Sequence, residues 1–377
     1  SNVPFEVKRG VMQARYDGEQ DRFDLVRLDV ESDHLSGEVS GSFRLRRGAD
    51  GLTNGWNAEL ALKNGYLVSP AIFDGETPVD LLVMRADNDL AADVLRIDTV
   101  RLETQGATFD LAGEVRGLAA ERPSLKLKGT IANLPAMKMG TLWPKGVAEG
   151  ARDWIQENVF AGTIPSGTID VDIPADALAS GNVPNSAARI ELAYEGVEMA
   201  YITEMPHLTR VKGKAIVLGN SFESLIDEGF VGPLKLSEGR VTIDDLNRKG
   251  EPANIEGRIT GKAAEVLTLL DQKPLGYPSR FGLDPRSVGG DADIALKLIV
   301  PTLKALKVED IVFDIGADLS HVTMAISDGI NLTDGAAHFA VTGQGLKATG
   351  TGLVAGVQAN FGWEENFNPG QDRISTH

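Results

Sequence analysis

The residues able to do chemistry are scattered along this chain. Its five histidines are His34, His207, His321, His338 and His377, and no two stand at a ligand-pair spacing. A zinc hydrolase would need two imidazoles one helical turn apart, as in His-Glu-x-x-His, and nothing comparable occurs. Each histidine therefore reads as a surface or strand-face residue, and His377, being terminal, as a tag remnant. Carboxylates are abundant, and two pairs, Asp170/Asp172 and Asp291/Asp293, stand at i, i+2. Paired carboxylates can cleave glycosides. In these segments they alternate with apolar residues, which marks the polar side of an amphipathic strand. The runs DGETPVD (74–80) and DPRSVGGDAD (284–293) suggest calcium loops, but neither keeps the twelve-residue ligand spacing, and turn chemistry accounts for their Asp and Gly residues. The glycine-rich GTGLVAG (350–356) lies between two strand patterns rather than before a helix, so it reads as bulges or turns and not as a phosphate cradle. There is no cysteine. Thiol catalysis, thiolate metal sites and disulfides are excluded. The expectation is a protein with no catalytic residues, no metal and no cofactor.

The elements that would position any site are mainly strands. The chain has 377 residues, 42% hydrophobic and 24% charged, an ordinary globular balance. NAELALKNG sets Ala58, Leu60 and Leu62 on one face; SLKLKGTI does so with Leu125 and Leu127; GTIDVDIP with Ile169, Val171 and Ile173; DIALKLIVP with Ile294, Leu296, Leu298 and Val300. The same period of two recurs over 22–31, 34–45, 94–103, 108–115, 190–199, 211–218 and 311–319. This is the pattern of antiparallel strands with one apolar and one polar face. The net charge is −17 and no Lys/Arg run exceeds two residues, which excludes a basic stripe for nucleic acid and disfavours anionic membrane surfaces. No apolar run approaches the ~18 residues that would span a bilayer. The opening SNVPFEV has neither a basic n-region nor an apolar core. The chain reads as an excised piece of a longer one, its Ser-Asn as a remnant of tag removal, and any membrane anchor as lying outside it.

Helical patterns are few. One runs from Lys145 to Val159, with Val147, Ala151, Trp154, Ile155 and Asn158 at helical spacing, Pro144 before it and Gly162 after. A second runs from Lys262 to Leu270. A short turn fits Leu134–Met139, and 275–290 reads as loop. Comparing the chain with itself exposes an echo. GTIANLPA (from Gly129) and GRITGKAA (from Gly257) each lead from strand into helix; GTIDVDIP and GGDADIALKLIVP return to strand and end at Pro174 and Pro301. A duplicated unit follows: an N-terminal β portion over 1–133, helix-plus-strand units over 134–261 and 262–366, and a tail over 367–377. A one-faced sheet must cover its apolar face. A second sheet or helices would give a closed core, whereas a curved sheet could hold a lipid chain there. The pattern alone allows both.

Two stretches carry a family resemblance. In LWPKGVAEGARDWIQENVFAGTIPSGTIDVDIP, Trp143-Pro144 precedes a helix with an Ala151-Arg152-Asp153-Trp154-Ile155 core, and Gly162-Thr163-Ile164 returns to strand. In the second copy, Lys273-Pro274-Leu275 is followed by Gly282-Leu283-Asp284-Pro285, Val288 and Gly290, and the strand ends at Pro301. Both resemble the AsmA-like bacterial envelope proteins, in their YhdP-type branch. The resemblance implies a mainly β fold, an elongated, twisted antiparallel sheet of repeating groove units with a few short helices. It implies a periplasmic protein whose full-length chain is anchored in the inner membrane and passes phospholipid toward the outer membrane.

The expected groove residues are Leu60, Leu62, Leu125, Leu127, Ile169, Val171, Ile173, Leu296, Leu298 and Val300, with ordinary core as the alternative for each. Trp143, Trp154 and Ile155 are expected on a helix that caps or plugs the groove. The expected partners are phospholipid acyl chains, the rest of the longer chain and outer-membrane proteins, with no nucleic acid. Two rivals stand beside this reading. A closed β scaffold for outer-membrane assembly would bind no lipid, and a β-solenoid enzyme would show a period of about 20–30 residues rather than the longer echo seen.

Overall fold

The structure is a computed structural model, and it describes residues 7–69, 73, 75–119, 121–145, 148–202, 204–280, 282–302, 310–327, 329–367 and 374–376. The fold is mainly β, antiparallel and unclosed, with few short helices. The chain divides into two compact units, Ser1–Glu195 with Ala215–Ser221, and Gly196–Lys214 with Phe222–His377.

The first unit is a meander. Its strands are β1 (Val7–Asp17), β2 (Arg22–Ser32), β3 (Leu35–Arg47), β4 (Thr53–Val68), β5 (Glu76–Asp89), β6 (Val94–Thr104), β7 (Ala107–Arg116), β8 (Ser124–Pro135) and β9 (Val159–Ile173). Each pairs antiparallel with the next. Tight turns make this possible. Gln105 and Gly106 both have positive φ between β6 and β7, the two-residue turn whose twist suits a hairpin. Between β8 and β9 the chain leaves the sheet through a 3-10 turn (Ala136–Lys138) and helix α1 (Glu149–Asn158). Helix α2 (Ala175–Ser180) follows β9, six residues long and too short for periodicity to reveal.

Strands β10 (Ala188–Met199) and β11 (Leu208–Leu218) fall at the boundary of the units, and β10 pairs with β9. The second unit continues with β12 (Ser221–Val231), β13 (Leu234–Ile243), β14 (Pro252–Lys262), β15 (Val288–Pro301), β16 (Val312–Ser327), β17 (Ile330–Thr342), β18 (Gly345–Val354), β19 (Val357–Asn366) and β20 (Ile374–Thr376), again each paired with the next. Helices α3 (Ala263–Leu270) and α4 (Tyr277–Arg280) and a 3-10 turn (Pro285–Ser287) fill the stretch between β14 and β15. The segment 275–290, read as loop, thus contains one short helix and one 3-10 turn. The glycine-rich 350–356 ends in a hairpin turn, Ala355–Gly356, with Val354 opposite Val357.

Helix α1 starts later than its sequence pattern suggests. Its N-cap residue, Ala148, adopts a left-handed φ of 41°, so the helical turns begin at Glu149 rather than near Lys145. Val147, His377, the opening Ser-Asn and most of the tail expected over 367–377 lie outside the described residues.

Candidate functional site

Directly opposed residues of an antiparallel pair share a face, so the register maps each side of the sheet. In the first unit one row reads Met12, Leu28, Val39, Leu62, Leu82, Leu102, Phe109 and Ile131, crossing β1 to β8 without a polar residue. The next row reads Ala14, Leu25, Gly41, Leu60, Met84, Val100, Leu111, Gly129 and Ile169. A third joins Tyr16, Phe23, Phe43, Ala58, Ala86, Ile97, Gly113, Leu127 and Val171. Bulges keep the rows in phase: two residues of β6, Asp98 and Thr99, lie between the Ile97 and Val100 pairings where β7 supplies one, and the apolar side is preserved across the irregularity. Gly129 is fixed by close approach. A Cβ there would stand 2.5 Å from Leu111 Cδ2.

The second unit repeats the arrangement. Gly257, Leu296, Ile315, Val341 and Leu346 form one row, and Ile259, Ile294, Ala317, Phe339, Ala348 and Trp363 the next. Leu298 faces Ile255 and Phe313, and Val300 faces Ala253.

This apolar face is unevenly covered. Tyr16 and Met12 are each 63% exposed and Leu60 36%, whereas Leu62 is 4% and Val171 8% exposed. Leu125, Leu127, Ile169, Ile173, Leu296, Leu298 and Val300 are half-buried. The ten sequence-derived positions thus all lie on apolar faces, Leu60 and Leu62 on β4, Leu125 and Leu127 on β8, Ile169, Val171 and Ile173 on β9, the other three on β15. Each face carries a buried cluster beneath a connection. In the first unit Ala107, Ile131, Leu134 and Ile164 form one, with Met139 and Leu142 of the β8–β9 connection packed on it. In the second, Ala263, Val288, Val322 and Leu332 do so, packed by Leu267 of α3 and by Leu283.

Trp143 is half-buried in the same β8–β9 connection, Trp154 is 45% exposed on α1, and Ile155 is half-buried. No residue of α1 is buried. The side chains that reach the cluster are Met139 and Leu142, which sequence reasoning does not single out. Their signal is present in the sequence: Ala136, Met139 and Leu142 recur every third residue, the spacing that aligns one side of a 3-10 turn.

The opposite face is charged and internally paired. Asp170 meets Lys128 and Asp172 meets Lys126, both at 2.9 Å; Glu59 meets Arg85 at 2.8 Å. In the second unit Asp291 meets Lys262 at 2.5 Å, and Asp293 meets Arg258. Lys262 and Arg258 hold these two carboxyls below the usual carboxylate range. The carboxylate pairs that could have been acid and base are therefore occupied by cross-strand cations. His207 contacts Glu198 at 2.8 Å and His338 contacts Asp318 at 2.7 Å, also side chain to side chain. Asp284 accepts from the Arg286 backbone N–H at 3.0 Å, as a turn residue does. Among the described residues no group of three or more His, Asp or Glu could hold a metal ion, and no helix is long and apolar enough to cross a membrane. An open concavity of about 560 Å³ is lined by the charged residues Asp110, Lys128, Asp170, Arg189 and Glu191 together with Leu111, Gly129 and Ile169 of the second apolar row. Lys128–Asp170 and Arg189–Glu191 are ion pairs within it, so its charges largely satisfy one another.

An extended, partly uncovered apolar face backed by a paired, charged one is an arrangement for contact with something apolar. The sequence model of the YhdP proteins, a family of the bacterial envelope, matches residues 12–351. No curated protein and no solved structure matches the chain. The family match covers nearly all of the strands that build both apolar faces, and the chain belongs to the YhdP protein family.

Proposed function

We propose that this chain carries phospholipid acyl chains on its apolar faces, in the periplasm, as one segment of a longer bridge between inner and outer membrane. It performs no bond chemistry. The observation that supports this reading is the set of unbroken apolar rows across β1 to β9, left partly open to solvent at positions such as Leu60. Nine strands at about 4.8 Å spacing give the first face a width of roughly 38 Å. One leaflet contributes about half of the ~30 Å hydrocarbon thickness of a bilayer, so an acyl chain laid across the strands fits with room for a second. Each CH₂ moved out of water gains about 0.8 kcal/mol, so a chain of about 16 carbons gains on the order of 10 kcal/mol before losses. An apolar wall without directional bonds holds the chain without fixing its position, which suits sliding. The helix-containing connections after β8 and β14 recur once in each expected repeat, and on this reading mark equivalent places along the lipid path.

Lipid extraction of the purified protein followed by mass spectrometry tests it. Phospholipid at about one or more per chain is expected. Absence of lipid, together with no uptake of a fluorescent phospholipid by the delipidated protein, overturns the proposal and favours a scaffold for outer-membrane assembly.

A further inference from the structure

We infer that a carried phospholipid lies with its phosphate at one margin of the first unit's apolar face, where Arg44 and Arg47 at the end of β3 receive it. The inference rests on the lipid-carrying reading and adds to it which way round the lipid is held.

The apolar rows run across the strands, so the strand ends and turns form two margins parallel to them. A tail laid along a row keeps its headgroup near one margin, and the two margins offer a phosphate very different surroundings. At the margin of the β1–β2, β3–β4, β5–β6 and β7–β8 turns, the strand ends carry Arg22, Arg44, Arg46, Arg47, Arg96 and Arg116. At the opposite margin, from β2 to β7, the segments 30–36, 65–80 and 102–109 hold no lysine or arginine, and Glu31, Asp33, Glu76, Asp80 and Glu103 stand among them. Lys8, at the start of β1, approaches that second margin and is taken by Asp33 at 2.5 Å. The first margin attracts a phosphate and the second repels it. Hydroxyls do not make up the difference. Ser32 and Thr104, at the second margin, are 0% exposed, and their hydroxyls donate to the carbonyls of Leu35 at 2.8 Å and Pro78 at 2.6 Å. The Tyr66 hydroxyl donates to the Ser32 carbonyl at 2.8 Å, so these donors are spent within the fold.

At the first margin most charges are already matched, and Arg44 is left over. Arg22 pairs with Asp24, Arg46 and Arg96 share Asp87, Arg47 takes Asp21 and Arg116 takes Glu114. Asp17, Asp50, Asp89 and Asp93 accept from backbone N–H groups of the turns. Arg44 donates to the Gln20 amide oxygen at 2.8 Å, its Nε makes no hydrogen bond, and no carboxylate among the described residues pairs with it. Guanidinium groups bind phosphate through two parallel N–H donors with full charge complementarity, which an amide oxygen does not supply.

The apolar side points to the same margin. Tyr16, Phe23 and Phe43 lie in the third row, and Phe43 meets Trp56 with ring centroids 5.7 Å apart. Tyr16 and Phe23 are 63% and 38% exposed. Aromatic rings with a polar rim suit the boundary between hydrocarbon and water. Trp56 faces Leu45, and Arg47 stands two residues beyond Leu45, at the outer end of this cluster. The Tyr16 hydroxyl donates to Asp21 at 2.9 Å, and Arg47 pairs with the same carboxylate. Arg44 reaches the neighbouring Gln20. The two arginines of β3 thus close on one turn, β1–β2, beside the aromatic cluster.

The absence of cysteine allows a single reporter to be placed cleanly. Leu52→Cys, at the exposed tip of the β3–β4 turn, and Glu76→Cys, exposed at the opposite margin, are each labelled with bimane on the delipidated protein. Two spin-labelled phosphatidylcholines are added in mixed micelles, one with its nitroxide on the headgroup and one with it on the acyl chain. The headgroup nitroxide is expected to quench the label at 52 and to spare the label at 76. Equal quenching at both positions, stronger quenching at 76, or quenching by the acyl nitroxide alone overturns the inference and leaves lipid carriage standing. If neither lipid quenches either label, both readings fall. Arg44→Gln supplies the equilibrium test. Affinity for dioleoyl phosphatidylglycerol is expected to fall about tenfold, the scale of one charged hydrogen-bonding partner. Affinity for dioleoylglycerol, which has the same chains and no phosphate, is expected to stay unchanged. Should Arg44→Gln fail to fold, Arg47→Gln, at a half-exposed side chain, is read by the same criterion. An equal loss for both lipids, or no loss for either, contradicts the inference.

Discussion

Replacing Leu60 by aspartate separates an open apolar face from a closed core. Leu60 and Leu62 lie two residues apart on the same side of β4, opposite Met84 and Leu82. The first is 36% exposed and the second 4%. Burying a leucine completely is worth about 1.5–3 kcal/mol, and Leu60 has about a third of that left to gain, so lipid contact contributes roughly 0.5–1 kcal/mol there. The carboxylate brings a heavier penalty, because dehydrating it under an acyl chain costs several kcal/mol unless it takes up a proton. A combined loss of about 1.4 kcal/mol or more is a tenfold or greater loss of lipid. In the lipid-free protein the same carboxylate reaches water, so the stability cost stays near ~1 kcal/mol and Tm falls by about 2–4 °C. Leu62→Asp buries the charge instead and prevents folding. The assay pairs Tm by differential scanning fluorimetry with phospholipid counted by mass spectrometry. If Leu60→Asp lowers Tm as severely as Leu62→Asp, the face is a core and the reasoning fails. If it folds and keeps its full lipid load, the acyl path does not cross the centre of β4.

Three further outcomes follow from named contacts. Lys128→Ala removes an exposed partner of Asp170, and is expected to change unfolding free energy by no more than about 1 kcal/mol in urea titration; a much larger loss means the pair is not solvated. Gly129→Val drives a side chain into Leu111 and the Asp110 carbonyl, and should destabilise by about 1–3 kcal/mol; a neutral result would mean that β7 and β8 do not approach closely at this position. Asp291 and Asp293 are held below the usual carboxylate range by Lys262 and Arg258, so folding favours their ionised forms. The stability they add is present above the ordinary carboxylate pKa of about 4 and is lost as pH falls through the lower folded values. The gap in urea midpoint between wild type and an Asp291→Asn/Asp293→Asn protein is therefore expected at about pH 6 and should shrink steadily as pH falls below about 4; a gap independent of pH contradicts the assignment.

Much of this arrangement is legible in the sequence because strand periodicity reports a local property. Alternation in SLKLKGTI and GTIDVDIP puts Leu125 and Leu127 on one side and Ile173 and Val171 on one side, and the register makes those two sides the same. The Asp residues between them read as solvated face, and Lys126 and Lys128 meet them. Coverage is a different kind of property. Ile131 is packed by Met139 and Leu142, which follow it beyond the end of β8, and strand alternation says nothing of how that turn folds back. The two tryptophans of the β8–β9 connection draw attention by their size, yet Met139 and Leu142, smaller and at a three-residue spacing that strand and helix periods both miss, are the residues of that connection packed on the buried cluster. Helix α1 begins four residues later than its apolar spacing suggests because Ala148 adopts a left-handed φ of 41°, which a right-handed helical run cannot include and which side-chain spacing does not report.

The hairpin connectivity of each unit has a consequence for how such a chain is made. Since each strand pairs with its immediate successor, most pairings join residues close in sequence, and closing each hairpin costs little chain entropy. A protein of this kind has a low contact order for an all-β fold, and can add one hairpin at a time to an existing edge. Strands can thus dock in the order in which they emerge, without waiting for the far end. The same order makes a growing edge the exposed intermediate at every step, and the charged side chains that alternate along each strand keep that edge soluble until its next neighbour arrives.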